Sequence, residues 1–242
     1  MRSSKTVLIT GANKGIGFET ARQLGSLGYT VLMGSRDELK GCVAAEALAQ
    51  ESIDARFIKL DLNDQDSIQT AAARIAEDYT RLDVLINNAG IAIDKGAAPG
   101  LLPGRDLRTT FDTNFFGTVA VIQAMLPLLL QSPAGRIVNV SSGLGSLAHN
   151  SNPDFEFAMI SPLAYNSSKA ALNMATILFA KQYKDSPLKI NAADPGYTAT
   201  DLNGFRGLRT VQQAAGIAVT LATLDENGPT GGFFDENGEV PW

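Results

Sequence analysis

Short apolar, β-branched runs alternate along this chain with longer stretches of helical periodicity, and that alternation restricts the possible folds more than any other feature. Strands are predicted at 5–10 (KTVLIT), 29–34 (YTVLMG), 55–60 (ARFIKL), 83–88 (DVLINN), 135–141 (GRIVNVS), 188–193 (LKINAA) and 231–234 (GGFF). Helices are predicted over 15–27, 37–50, 64–79, 105–131, 162–184 and 210–223. Strands that are apolar on both faces belong to parallel sheets covered by helices on each side. The βαβ rhythm therefore gives a doubly wound α/β fold with a parallel sheet of about seven strands. No long Pro/Gly/Ser linker and no internal repeat divides the 242 residues, so one domain over 1–242 is expected. Two stretches interrupt the rhythm, 143–161 and 195–210. Both follow strand C-termini, where open α/β sheets bind their ligands.

Composition narrows the function classes. Hydrophobic residues make up 45% of the chain and charged residues 19%, enough for a buried core and too apolar for disorder. The net charge of −5, with scattered basic residues, offers no attraction to nucleic acid or to an anionic membrane surface. One cysteine, Cys42, with one histidine, His149, leaves no internal disulfide and no zinc site of the usual kind, so no metal is expected. The most apolar stretch, 118–130, is too short to span a bilayer, and the N-terminus enters its first strand without a signal-peptide pattern. A cytoplasmic protein acting on a small molecule is the expectation.

The first strand runs into TGANKGIGFE, in which Gly11, Gly15 and Gly17 lead into a helix. Glycine allows a tight turn and close backbone approach, and a new helix offers unpaired N–H groups to a pyrophosphate. The spacing G-x-x-x-G-x-G differs from the dinucleotide fingerprint G-x-G-x-x-G, but its place on the first strand of a βαβ series suits a nucleotide. At the end of the second strand an acid selects NAD, and an arginine accommodates the 2′-phosphate of NADP. This chain reads VLMGSRDE, with Arg36 ahead of Asp37, and Lys14 in the glycine turn adds a second cation. The reading favours NADP. The alternative is a solvated Arg36 with Asp37 on the ribose.

In SPLAYNSSKAAL, Ser161 suits an N-cap and Pro162 the first helical position. Tyr165 and Lys169 are four residues apart and share one face of the helix that follows. Alone, such a pair is a surface feature.

Seven strings in order change that reading: TGANKGIG, LDLND (60–64), NNAG (87–90), TNFFGT (113–118), IVNVSSG (137–143), YNSSK (165–169) and DPGYTAT (194–200). Together they resemble the short-chain dehydrogenase/reductase family, and most of all its carbonyl-reductase branch. The resemblance runs from Thr6 to the C-terminal GGFFDENGEVPW. It implies a single-domain Rossmann fold and a catalytic set of Asn114, Ser142, Tyr165 and Lys169. Ser141 and Ser142 point to opposite faces of their strand; the family pattern selects Ser142, with Ser141 as the fallback. The resemblance also assigns to the cofactor Asn13 and Ile16 in the glycine turn, Asp61 at the adenine with Leu62 beside it, Asn88, Ala89 and Gly90 along the adenosine, and Pro195, Gly196, Thr198 and Thr200 around the nicotinamide. Tyr165 and Lys169 complete that cofactor set.

The chemistry explains the residue types. Reducing a carbonyl with NADPH places a hydride on carbon and a proton on oxygen, and the developing alkoxide needs a donor already in place. Tyr165 is the expected acid, and a cation near it, Lys169, is expected to draw its pKa down from about 10. Ser142 would donate a second hydrogen bond, and Asn114 would hold a water linking Lys169 to solvent. Neither Ser141 nor Ser142 lies in a G-x-S-x-G elbow, and His149 sits in the variable loop seven residues after Ser142, which argues against a Ser-His-Asp mechanism. Cys42 reads as a packing residue, and Phe155, Phe157 and Tyr197 as pocket-lining candidates. The spacer between Ser142 and Tyr165 resembles an insertion that covers the tetramer-forming helix, so a monomer is expected, with a homo-oligomer as the alternative. The expected function is an NADPH-dependent reductase of ketones, aldehydes or quinones. Its alternatives are an alcohol dehydrogenase working oxidatively and a non-catalytic NADP-binding sensor.

Overall fold

The computed structural model describes residues 5–94 and 96–242. Its strands are β1 (Thr6–Thr10), β2 (Thr30–Ser35), β3 (Ala55–Lys59), β4 (Val84–Asn87), β5 (Arg136–Val140), β6 (Lys189–Ala193), β7 (Phe233–Asp235) and β8 (Gly238–Glu239). Its α-helices are α1 (Gly15–Ser26), α2 (Glu38–Gln50), α3 (Gln65–Asp78), α4 (Gly104–Phe111), α5 (Thr118–Leu129), α6 (Leu147–Ser151), α7 (Leu163–Gln182) and α8 (Val211–Ala222). The strands form one sheet in the order β3-β2-β1-β4-β5-β6-β7-β8. All neighbours are parallel except the last pair, in which Phe234 faces Glu239.

Alternation along the strands divides the core into two layers. In β1, Val7 and Ile9 pack with Leu24 of α1, Leu48 of α2 and Ile217 of α8. Leu8 points the other way, toward Ile68 of α3, Ile122 of α5 and Ala180 of α7. Every residue of β1, β2, β4 and β5 is buried, as central strands covered on both faces must be. Because β1 lies between β2 and β4, the chain reverses its winding there, and a crevice opens at the C-terminal ends of these strands.

Two elements depart from the sequence expectation. Strand β8 was not foreseen; the Asp235 carboxylate accepts from Asn237 N and Gly238 N at 2.7 and 3.0 Å, and this tight turn folds a two-residue strand back on β7. The helix expected over 105–131 is continuous but is divided into α4 and α5 by a π-helical stretch, Asp112–Gly117. Widened turns of this kind insert an extra residue into the helical register. Here Asn114 falls within the widened stretch and is buried.

Helix α7 is tied to the sheet by polar groups as well as by packing. Asn87 Nδ2 donates to Asn139 Oδ1 across β4 and β5, and Asn139 Nδ2 donates to Thr176 Oγ1 of α7, both at 2.8 Å. All three side chains are buried, so a group that loses its partner there is cut off from water. Asn139→Ala strands a donor on Asn87 and an acceptor on Thr176. Urea unfolding should show a loss of about 2–4 kcal/mol, and a loss below about 0.5 kcal/mol would mean that water replaces the amide without penalty.

Candidate active site

The glycine turn sits at the C-terminal end of β1. Lys14 precedes α1 without capping it through its side chain, so the first amides of the helix face the crevice free of a side-chain partner. Gly17 is needed for close approach: a Cβ there would lie 2.4 Å from Asn88 Nδ2 and 2.7 Å from the Gly11 carbonyl oxygen. Asn88 Nδ2 in turn donates to the carbonyls of Thr10 and Gly11 at 2.9 and 3.2 Å. The backbone N–H groups of Asn88 and Ala89 both donate to Thr10 Oγ1 at 3.0 Å. The NNAG segment thus holds the turn that its resemblance places along the adenosine. Asn13 and Ile16 lie partly exposed in the turn. This uncapped, glycine-walled helix start fits a dinucleotide pyrophosphate.

At the adenosine end, Arg36 is exposed and Asp37 is engaged elsewhere. The Asp37 carboxylate caps α2, accepting from Lys40 N at 3.0 Å and pairing with Lys40 Nζ at 3.1 Å. This weighs against Asp37 as the ribose acid. Lys59, which sequence reasoning did not single out, sends its ammonium to the Arg36 carbonyl. Lys14 pairs with Asp201. Asp61 accepts from Asn63 N at 3.0 Å, and Leu62 is buried in the core, so its backbone is the part able to meet a ligand.

Helix α7 carries Tyr165 and Lys169 up to the ends of β5 and β6. The Tyr165 hydroxyl lies beside Ser142, which draws its pKa down, and Ser142 Oγ accepts from Leu144 N at 3.2 Å. Ser141 turns inward to Asn173 of α7 and is buried. Lys169 is buried, with Nζ 2.8 Å from the Val140 carbonyl and 5.7 Å from the centre of the Tyr165 ring. Gly145 permits this arrangement, because a Cβ there would stand 2.7 Å from Lys169 Cβ. Asn114 Oδ1 accepts from Ile91 N at 2.8 Å, and its Nδ2 donates to the Ile91 carbonyl and to Ser168 Oγ at 2.9 and 3.0 Å. Gly90 borders both groups: its Cβ position is 3.4 Å from Asn114 Oδ1 and 3.5 Å from Lys169 Nζ.

The electrostatics correct one expectation. Tyr165 was expected to be drawn down by Lys169; instead burial, aided by the negative charge of Asp194, pushes it up to about 12, and the neighbouring Ser142 hydroxyl opposes this. Burial draws Lys169 down to about 8 against the pull of Asp194. The physical reason is desolvation of both groups, with the ammonium directed at Val140 rather than at the phenol oxygen.

The start of α7 is also corrected. The helix begins at Leu163 with Pro162 in the N-cap position, and Ser161 lies outside it. The capping group comes from the loop after β4: the buried Asp94 accepts from Ala164 N at 2.7 Å and from Tyr165 N at 3.3 Å. No local pattern reveals a cap seventy residues away in sequence. Asp94 therefore fixes the backbone of Tyr165 itself.

The two irregular stretches meet above this site. His149, on α6, stacks on Phe155 with ring centres 4.5 Å apart. Phe155 meets Phe157 at 5.6 Å, and Phe157 meets Tyr197 of the second stretch at 5.9 Å. Pro195 and Gly196 lead that second stretch; Thr198 Oγ1 bonds the Pro195 and Gly196 carbonyls, and the Thr200 methyl lies 3.7 Å from the Cβ position of Gly15. The first stretch reaches the start of α7 through Asn166 Nδ2 on Asn150 Oδ1 at 3.1 Å, and leaves Met174 and Leu178 of α7 exposed. Cys42 is half-buried on α2. No helix among the described residues is long and apolar enough to cross a membrane.

Known proteins share this arrangement. The family model described as short chain dehydrogenase matches residues 5–209. A short-chain dehydrogenase anuI of Penicillium roqueforti is 37% identical over 223 residues, covering 90% of this chain and 88% of its own. Carbonyl reductase [NADPH] 1 of Mus musculus is 31% identical over 281 residues and covers both chains completely. The structure of NADPH-bound carbonyl reductase from chicken fatty liver superposes with a TM-score of 0.85 at 29% identity, covering 99% of each chain.

The buried lysine makes a stability prediction. Its pKa is lowered in the folded state, so the unfolded chain binds the proton more tightly and the group destabilises the fold below pH 8. Lys169→Met removes that penalty, at most about 3 kcal/mol, and loses the Val140 hydrogen bond, so a net gain of about 1–2 kcal/mol is expected at pH 7. The gain should shrink as pH rises from about 8 through 10.5, where the wild-type lysine is neutral in both states. Urea midpoints at pH 7 and pH 10 check it; a variant less stable at pH 7 would refute it.

Proposed function

The chain belongs to the short-chain dehydrogenase family, and we propose that within it the protein works as an NADPH-dependent carbonyl reductase acting on a ketone, aldehyde or quinone. It is an NAD(P)-dependent oxidoreductase by family. The observation that carries the finer reading is the grouping of Tyr165, Ser142 and the buried Lys169 at the strand end, with Lys169 Nζ on the Val140 carbonyl and 5.7 Å from the Tyr165 ring centre. The NADPH-bound structural relative and the carbonyl reductases of similar length support the cofactor and the reaction.

The hydride would come from the nicotinamide of NADPH, held by Tyr165, Lys169 and the glycine turn. Ser142 and Tyr165 would both donate to the carbonyl oxygen, from hydroxyls that already neighbour one another. As the oxygen gains charge, Tyr165 gives up its proton. A phenol at about 12 is still a far stronger acid than the alcohol being formed, so this transfer runs downhill. The raised value also keeps the hydroxyl protonated across the neutral range, which suits reduction better than oxidation. Lys169, charged below about 8, supplies the positive field that favours the departing proton and would hold the nicotinamide ribose. Asn114, fastened to Ile91 and Ser168, keeps the neighbouring loop and α7 in register, and in this reading its carbonyl partner holds the water that serves Lys169.

The cofactor end follows the same logic. Pyrophosphate would lie on the amides of Gly15, Ile16 and Gly17, with Gly11 and Asn13 beside them. The 2′-phosphate would meet Arg36 and Lys14, with Lys59 adding charge from β3. The aromatic run from His149 to Tyr197 gives the substrate a flat, apolar wall, which favours ring-bearing carbonyls.

Oxidation of NADPH and NADH against a panel of aldehydes, ketones and quinones tests this reading. Carbonyl-dependent oxidation of NADPH is expected. Tyr165→Phe should lower kcat at least about 100-fold while NADPH still binds, and Arg36→Asp should shift preference toward NADH. Tight NADPH binding without turnover of any carbonyl, or of any alcohol with NADP, would favour a sensor instead. An unchanged cofactor preference in Arg36→Asp would move the 2′-phosphate elsewhere.

A further inference from the structure

One carboxylate of the site has no part in the reaction as written above. Asp194 follows β6, where Ala193 pairs with Val140 of β5, so it lies beside the 140–143 turn that carries Ser142. Gly196 N donates to its Oδ1 at 2.9 Å, and the Gly143 backbone lies beside the carboxylate and favours its charged form. Oδ2 stands 2.8 Å from the Cβ position of Gly143, and His149 Nδ1 stands 3.5 Å from the same point. That nitrogen is buried and has no hydrogen-bond partner among the described residues. A carboxylate oxygen and an orphan imidazole nitrogen thus converge on one spot, and an unmatched buried nitrogen calls for an explanation.

The charged and titratable groups around the carboxylate come from four directions. Tyr165 and Lys169 face it from α7, His149 from α6, Asp235 from β7, and Arg209 from the segment before α8, where its guanidinium pairs with Glu236. Burial and Asp235 push Asp194 up, whereas the Gly196 and Gly143 backbones and His149 hold it down. Asp194 in turn raises both Tyr165 and Lys169.

We propose that Asp194 is a positioning residue of the reduction: a fixed negative charge, supported from the loop side by His149, that keeps the Lys169 ammonium charged and the Tyr165 hydroxyl protonated, and so sets the alkaline limit of activity. The proposal deepens the carbonyl-reductase reading and rests on it. The Gly196 N–H and the close-packed Gly143 backbone place the charge, and the imidazole on the other side of Gly143 accounts for a nitrogen that otherwise has no purpose in the fold. Removing the charge lowers the pH at which Lys169 loses its proton, so the alkaline limb moves to lower pH.

The experiment is the pH dependence of carbonyl-dependent NADPH oxidation in the wild type and in Asp194→Asn, Asp194→Glu and His149→Phe. Asparagine keeps the shape and one acceptor oxygen, and phenylalanine keeps the stack on Phe155. The wild-type rate should fall as pH rises past about 8. Asp194→Asn should move that limb down by about one pH unit, Asp194→Glu should return it most of the way, and His149→Phe should move it in the same direction by less. An unmoved limb in Asp194→Asn that folds and turns over would overturn the proposal, as would an equal shift in the glutamate variant. Should Asp194→Asn fail to bind NADPH, Asp194→Ser, equally uncharged, reads the same limb. A wild type with no carbonyl-dependent NADPH oxidation at any pH is a separate result: it overturns the reductase reading and this proposal with it.

Discussion

Lys169 donates to the Val140 carbonyl from a position almost closed to solvent, and the rest of the site is arranged around that bond. A buried ammonium destabilises a fold unless its hydrogen bonds are met and a negative charge stands near. Both conditions depend on where β5 ends. Val140 is its last residue; the next two are Ser141, turned in to Asn173, and Ser142, turned out to Tyr165. The parallel register with β6 brings Asp194 to the same level. One strand end thus supplies the lysine's acceptor, the tyrosine's hydroxyl partner and, through its neighbour, the counter-charge.

This arrangement needs a rigid α7, and the structure fastens that helix along its length. Asp94 holds its first turn, Ser168 is tied to Asn114, Asn173 to Ser141, and Thr176 to Asn139. The polar partners lie at 165, 168, 169, 173 and 176, which share one broad face of the helix. An apolar stripe there would also have packed against the sheet. A polar one allows a single alignment, because a slip by one residue leaves buried donors unmatched. The cost in desolvation is offset by a fixed position for Tyr165.

Sequence reasoning reached the frame more easily than its fastenings. Strand runs such as VLIT and IVNV declare themselves through period and β-branching, and their burial in the sheet follows from it. The helix boundaries fall within two residues of expectation because glycine turns and caps are local signals. What escaped is non-local. Asp94 caps a helix far along the chain, and nothing in IAIDKG marks it as a cap. The π-helical stretch at Asp112–Gly117 has an ordinary helical sequence; its widened turn carries Asn114, which reaches the backbone of Ile91, a partner distant in sequence. The level of the Tyr165 proton was also misjudged, because a Tyr–Lys pair on a helix suggests mutual attraction and says nothing of how dry its surroundings are. Lys59 escaped for a similar reason: its strand places it beside Arg36 only once β2 and β3 pair.

The parts that choose a substrate are physically separate from the parts that fasten the site. The groups near the reacting oxygen stand on strand ends and on α7, held by buried hydrogen bonds that tolerate little change. The aromatic run from His149 to Tyr197 joins two loops and is held by ring contacts, which accept many side chains of similar size. Loops of this kind can vary while the frame stays fixed. Asp194 and His149 lie at the junction. Asp194 belongs to the frame by its backbone bonds, and His149 belongs to the loop by its stack on Phe155. Under the role proposed for Asp194, a change in the loop that moves the imidazole would reach the charge on the tyrosine side of the site without touching Ser142 or Tyr165. Substrate wall and working pH would then be coupled through one frame residue and one loop residue that both border Gly143.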